Sequence, residues 1–137
     1  MSYGKYVYEY KKNAVNGASP LQLVIMLYDG ALRFMEAGKH AMAQRNLDQQ
    51  NTNLQKAQRI VCELMATLNM EVGGEVAKNL LSLYSFCFNQ LVEANIYDRP
   101  QQVDACIGVI SGLRDSWVKL EELQRTNGQS DAVAQAA

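Results

Sequence analysis

The sequence predicts an all-α protein, an antiparallel up-down four-helix bundle. Apolar residues recur at helical spacing in four segments and never sustain the alternation of a strand. A chain of 137 residues with 48% apolar content can bury one core but is too short for two ordinary domains. We therefore expect a single domain over residues 1–128, in which residues 1–17 are a mobile helical or extended segment. Residues 129–137 are small and polar, and we expect them to form a disordered tail.

The two prolines of the chain both stand where a helix can begin. Ser19 can cap helix 1, Pro20 suits the first helical position, and Gln22 can complete a capping box. Helix 1 is therefore predicted to start near residue 20. The second proline repeats this arrangement, with Asp98 as the capping acceptor and Pro100 in the first turn of helix 4.

Polar and glycine-rich stretches divide the rest of the chain into further helices. The polar run 44–51 lacks apolar periodicity and predicts a loop. The glycine pair 73–74 is the strongest stop signal, because glycine frees the backbone from helical geometry. Helix 2 is thus predicted over about 50–71 and helix 3 over about 75–97. The Asn-Gly pair at 127–128 is predicted to end helix 4.

Helices 1 and 3 carry more apolar residues than one core-facing stripe requires. In a bundle of four, no helix is surrounded by the others, so a wide apolar arc has two explanations. It reflects ordinary tight packing, or it forms a surface groove for another apolar chain. We expect a groove, and the pattern predicts that the residues lining it are Leu23, Leu27, Phe34, Leu81, Phe88 and Val92.

Three tyrosines near the N-terminus share one side if their segment is helical. Tyr3, Tyr6 and Tyr10 follow the spacing i, i+3 and i+7. A tyrosine ring buries apolar area while its hydroxyl stays in water, which suits a reversible contact. The three residues are therefore candidates for a cover over the groove in the free protein. A frayed terminus with no docked state is the alternative.

Composition argues against nucleic acid and membrane as partners. The net charge is −1, and the 13 basic residues are interspersed with 14 acidic ones rather than clustered, so phosphate neutralisation is not expected. No apolar run reaches the length of a membrane span. The N-terminal segment lacks the charged and apolar regions of a secretion signal, which predicts a cytoplasmic protein.

The sequence lacks the residues for a catalytic or metal site. A di-iron site in a helical bundle needs two Glu-x-x-His pairs, whereas His40 is the single histidine and only Glu36 lies one turn before it. The cysteines at 62, 87 and 106 form no closely spaced pair, and we expect reduced, buried thiols. We predict a binding protein with no catalytic residues, metal or cofactor.

Four stretches of the sequence together form a recognisable pattern: ASPLQLVIMLYDG at 18–30, NTNLQKA at 51–57, LVEAN at 91–95 and LRDSW at 113–117. This pattern resembles the FliS family of flagellin export chaperones. The four stretches occur in the family's order, and the resemblance covers about residues 1–125.

The resemblance implies a partner and a task. FliS-type chaperones bind the disordered C-terminal segment of flagellin in the cytosol and prevent its polymerisation before type III export. We expect the same of this chain, as a monomer or weak homodimer, with contact to an export-gate component left open. The alternative is a self-associating structural bundle whose surplus apolar face is a homodimer seam.

Overall fold

The computed structural model describes residues 19–127, which form four α-helices. They are α1 (Pro20–Ala43), α2 (Leu47–Thr67), α3 (Met70–Tyr97) and α4 (Pro100–Asn127). The predicted all-α class is therefore confirmed. The expected disorder after residue 128 falls outside the described residues.

Helix α1 begins with the predicted capping box. The Ser19 hydroxyl accepts a hydrogen bond from the Gln22 backbone N–H at 3.0 Å, and the Gln22 side chain accepts from the Ser19 backbone N–H at 2.9 Å. Pro20 occupies the first helical position, where its missing N–H has no consequence. The start of α1 is thus determined locally by three neighbouring residues.

Helix α2 begins earlier and ends earlier than predicted. The Asn46 side chain accepts from the Gln49 backbone N–H at 3.2 Å and so caps a helix that starts at Leu47, inside the run expected to be a loop. A first turn needs a cap but no apolar periodicity, and this explains the error. At the other end Leu68 is extended, so α2 stops at Thr67.

The glycine pair interrupts the helical backbone as predicted, but it does not mark the end of α2, and that part of the prediction is wrong. Asn69 caps α3 by accepting from the Val72 backbone N–H at 3.0 Å, so α3 starts at Met70. The glycines lie within this helix, where Gly74 has a φ of 52° and produces a kink. A left-handed φ of this kind is tolerated by glycine. The pair therefore marks a kink one turn after the actual helix start.

Helix α4 begins at Pro100 as predicted, but Asp98 is not its cap. Asp98 adopts a left-handed φ of 52° and closes α3, with its backbone N–H donating to the Ala94 carbonyl. Its carboxylate accepts from the Gln50 side-chain amide at 2.8 Å. The carboxylate thus joins the end of α3 to the start of α2 and is not available to α4.

The helices form a closed ring in which each contacts two neighbours. Helix α1 packs against α2 and α4, and α3 packs against the same two helices. Lys39 near the end of α1 pairs with Asp104 near the start of α4 at 2.7 Å, and Asp29 pairs with Arg114 further along. Residue numbers rise along α1 as they fall along α4, so the helices are antiparallel.

Helix α1 approaches α2 closely at Gly38. A Cβ placed on this glycine would lie 2.5 Å from Cδ2 of Leu54, which is fully buried. The absence of a side chain at position 38 therefore lets the two helices meet.

Two of the three cysteines are buried as expected. Cys87 and Cys106 lie in the core, where the Cys106 thiol donates to the Cys87 backbone carbonyl at 3.3 Å. Cys62 is exposed, so the expectation of burial is wrong for this residue. It lies on the outer face of α2, although some of its neighbours in the sequence are apolar core residues. All three thiols are free.

Candidate functional site

An apolar groove runs between α3 and α4, in the half of the bundle where α3 begins and α4 ends. It has a volume of about 460 Å³, and seven of its ten lining residues are apolar. The apolar lining residues are Val76, Leu80, Leu83, Leu113, Trp117, Leu120 and Leu123. The polar lining residues are Asn79, Ser116 and Lys119.

The walls of the groove are open to solvent while its floor is not. Leu83 on α3 and Leu123 on α4 are 37% and 50% exposed, whereas Trp117 is only 2% exposed. Phe86 is also exposed and follows Leu83 by three residues, so both lie on one face of α3. Exposed apolar surface thus extends along α3 beyond the groove as far as Phe86.

A hydrogen-bonded aromatic trio fixes the floor of the groove. The Trp117 indole N–H donates to the Tyr28 hydroxyl at 2.5 Å, and the Tyr28 and Tyr84 hydroxyls share a further hydrogen bond. The Tyr28 ring centroid lies 6.3 Å from that of Tyr84 and 6.4 Å from that of Trp117. The trio joins α1, α3 and α4 in the core. Because buried polar groups that satisfy one another specify a single arrangement, Trp117 is held in place from below.

Burial keeps both tyrosines of the trio in the neutral form. Desolvation raises the pKa of Tyr28 to about 12, and it raises the pKa of Tyr84 as well. A phenolate in this position would lose its hydration without gaining a cation. The hydroxyls therefore act as structural hydrogen-bonding groups.

The three candidate residues from helix 1 are buried. Leu23, Leu27 and Phe34 are all less than 6% exposed, and Leu27 and Phe34 belong to the core cluster. Their assignment to a client surface stays a prediction.

The three candidates from helix 3 lie on a different side of α3 from the groove. Leu81, Phe88 and Val92 are half-buried and follow the spacing i, i+7 and i+11. Phe88 lines a shallow depression together with Cys62 and other residues of α2. These positions therefore face α2, whereas the groove faces α4. Their role in binding a client stays a prediction.

Sequence reasoning missed the apolar groove itself. Helical periodicity alone does not distinguish Leu83 and Trp117 from ordinary core residues, and it does not single out Leu123. One available signal was that Leu113, Leu120 and Leu123 continue on one side of α4 at helical spacing, which makes its apolar arc wide. The candidate cover residues Tyr3, Tyr6 and Tyr10 lie outside the described residues.

Within residues 19–127, no group of three or more His, Cys, Asp or Glu side chains could hold a metal ion. None of the described helices is long and apolar enough to cross a bilayer.

The fold and the groove define a class of protein. An open apolar groove between two helices is the geometry that accepts an amphipathic segment of another polypeptide. The structure is thus that of a helical bundle suited to binding proteins.

Comparison with known proteins gives the family. The family model described as "Flagellar protein FliS" matches residues 2–124, so the chain belongs to the FliS family. The flagellar secretion chaperone FliS of Vibrio cholerae is 40% identical over 79% of this chain and 82% of its own length. The chaperone of the same name from Bacillus subtilis is 33% identical over 85% of this chain and 86% of its own. That from Salmonella typhimurium is 33% identical over 80% and 82%. The relatives are named as chaperones and not as enzymes, in agreement with the sequence analysis.

Proposed function

We propose that the chain is a flagellar secretion chaperone that binds the disordered C-terminal segment of flagellin in the cytoplasm. Binding prevents premature polymerisation and keeps flagellin competent for type III export. The family membership supports the role of secretion chaperone. The observation that carries the binding role is the apolar groove between α3 and α4.

The energetics of the groove suit a client that is disordered before it binds. Ordering a flexible chain costs about 1 to 2 kcal/mol of backbone entropy per residue, while a fully buried Leu-sized anchor returns about 1.5 to 3 kcal/mol. A client therefore needs several apolar anchors in every few turns. The groove offers seven apolar lining residues, and Phe86 extends the apolar surface along α3. This mechanism relies on binding energy alone and uses no nucleotide or cofactor.

Titration of the purified chain with flagellin tests the proposal. We expect one flagellin to bind each chaperone, and we expect a flagellin that lacks its C-terminal segment to lose binding. Light scattering should also show that the chaperone delays flagellin polymerisation. If the truncated flagellin binds with unchanged affinity, the proposal is wrong.

A structural bundle that associates with itself is the second candidate. It is favoured by exposed apolar residues at the other end of the bundle, where Leu47 and Ile96 are each 64% exposed and Tyr97 is also exposed. Sedimentation equilibrium distinguishes the two functions. A stable dimer without affinity for flagellin would support the structural role, whereas a monomer or weak dimer that binds flagellin supports the chaperone.

A further inference from the structure

The groove between α3 and α4 offers side chains to a client but no backbone hydrogen bonds. Its two walls are continuous helices from Val76 onward, so their backbone N–H and C=O groups are used within each helix. The Ser116 hydroxyl is also occupied, since it donates to the Gly112 carbonyl at 3.1 Å. An extended client would leave its own backbone groups unpaired over an apolar surface, whereas a helix satisfies them internally. The groove therefore favours a helical client segment.

The dimensions of the groove limit the length of that helix. The lining residues span eight positions on α3, from Val76 to Leu83, and eleven on α4, from Leu113 to Leu123. At a rise of about 1.5 Å from each residue to the next, these spans correspond to roughly 10 and 15 Å, or two to three helical turns. Such a segment presents three or four apolar anchors at the spacing i, i+3 or i+4, and i+7.

Lys119 is the one charged residue among those that line the groove. It forms no ion pair with the residues that the structure describes, unlike Lys78, which pairs with Glu75 at 3.4 Å, and Arg125, which pairs with Glu121 at 3.8 Å. Lys119 is exposed, so an apolar helix docked beside it would remove part of the water around its ammonium group. An anionic partner on the helix compensates that loss, whereas a cationic one adds to it.

We propose that Lys119 makes the groove selective for a client helix that carries an Asp or Glu beside its apolar stripe. This inference rests on the proposed function and specifies which part of flagellin's C-terminal segment occupies the groove. A helix with Lys or Arg at the same place is rejected, because two like charges would be desolvated together. Hydrophobic anchors thus provide affinity. The charge at position 119 fixes the register of the client helix in the groove and discriminates between acidic and basic segments.

The test measures binding of flagellin's C-terminal fragment to the full-length chaperone and its variants. Lys119→Glu should raise Kd by about 5- to 30-fold, and Lys119→Gln by about 2- to 5-fold, as expected for a partly desolvated charge pair. Lys78→Glu is the matched control, because it makes the same change in net charge on α3 at a residue that does not line the groove. Its Kd should stay within about twofold of the wild type. Circular dichroism verifies that each variant is folded.

A charge swap identifies the partner carboxylate. Each acidic residue of the flagellin fragment is changed to Lys in turn, and each variant fragment is titrated with wild-type and Lys119→Glu chaperone. One position should weaken binding to the wild type and restore binding to Lys119→Glu to within about threefold of the original Kd. The inference is overturned if no position does so, or if Lys78→Glu and Lys119→Glu weaken binding equally. If the wild-type chaperone does not bind the fragment at all, the proposed function fails, and the inference fails with it.

Discussion

Removal of the Tyr28 hydroxyl should destabilise the bundle more than removal of the Tyr84 hydroxyl, the other hydroxyl of the aromatic trio. Tyr28→Phe leaves the buried Trp117 N–H without its acceptor and deprives the Tyr84 hydroxyl of its partner. A buried polar group that loses its partner costs about 1 to 3 kcal/mol, so two such groups together should cost about 2 to 6 kcal/mol. At about 3 °C per kcal/mol for a chain of this size, the melting temperature should fall by roughly 6 to 18 °C.

Tyr84→Phe is the matched control, because it removes a hydroxyl from the same cluster and leaves the bond between Trp117 and Tyr28 in place. Its cost should be about 1 kcal/mol, the typical net value of one hydrogen bond. Urea unfolding followed by circular dichroism measures both free energies of unfolding. Emission from the chain's single tryptophan reports independently whether the Trp117 environment has changed. If Tyr28→Phe costs no more than Tyr84→Phe, the trio does not hold the groove floor as described.

The aromatic trio also predicts how the free energy of unfolding changes at alkaline pH. The pKa of Tyr28 is raised from 10.0 to about 12 by burial, so the folded state retains a proton that the unfolded chain releases at lower pH. The stability associated with the neutral phenol is fully present below pH 10, and it is lost as pH rises from about 10 to 12. The free energy of unfolding should therefore decrease over this range, and the decrease should be smaller in Tyr28→Phe. An equal pH dependence in the two proteins would contradict the assignment.

Three further predictions have defined outcomes. Gly38→Val should destabilise the protein by about 1 to 3 kcal/mol because its side chain would overlap Leu54. Gly112→Ala is the control, because its new methyl group meets open space, and it should be neutral or stabilising. Equal thermal stability of the two variants would contradict the close approach of α1 and α2. Phe88→Ser should weaken flagellin binding more than it lowers the melting temperature; a loss of about 3 to 5 kcal/mol of stability in thermal unfolding would instead place this ring in the core. Deletion of residues 2–14 should tighten flagellin binding by up to about a hundredfold if the tyrosine segment competes for the groove, and weaker binding would show that the segment belongs to the client site.

The sequence was sufficient for those parts of the fold that are determined locally. The capping box of Ser19 and Gln22 lies within four residues, and the structure confirms both the box and the start of α1. Asp98 was misassigned because the same carboxylate can cap the next helix or contact a distant amide, and the contact with Gln50 depends on tertiary packing. The glycine pair does break the helix, but the end of α2 was misplaced because the Asn69 cap, one turn before the glycines, already starts α3.

The position of the groove could not be read from helical periodicity. Periodicity identifies which residues of α3 share a face, but it does not show which neighbour each face meets. The residues around Phe88 therefore gave the same signal as those around Leu83, although the first group faces α2 and the second faces the groove beside α4. Likewise, the surplus apolar residues of α1 suggested an open surface, whereas the close approach at Gly38 brings α2 against that helix.

The most direct measurement of the central claim compares two doubly substituted chaperones in calorimetric titrations with flagellin's C-terminal fragment. Leu83→Gln with Leu123→Gln changes the exposed walls of the groove, and Leu47→Gln with Ile96→Gln changes apolar residues at the opposite end of the bundle that are more exposed still. The groove variant should raise Kd by about thirtyfold or more, because each wall leucine loses about 1 to 1.5 kcal/mol of burial on docking. The control variant should bind within about twofold of the wild type. Equal losses in the two variants, or a loss confined to the control, would contradict the claim that flagellin binds between α3 and α4.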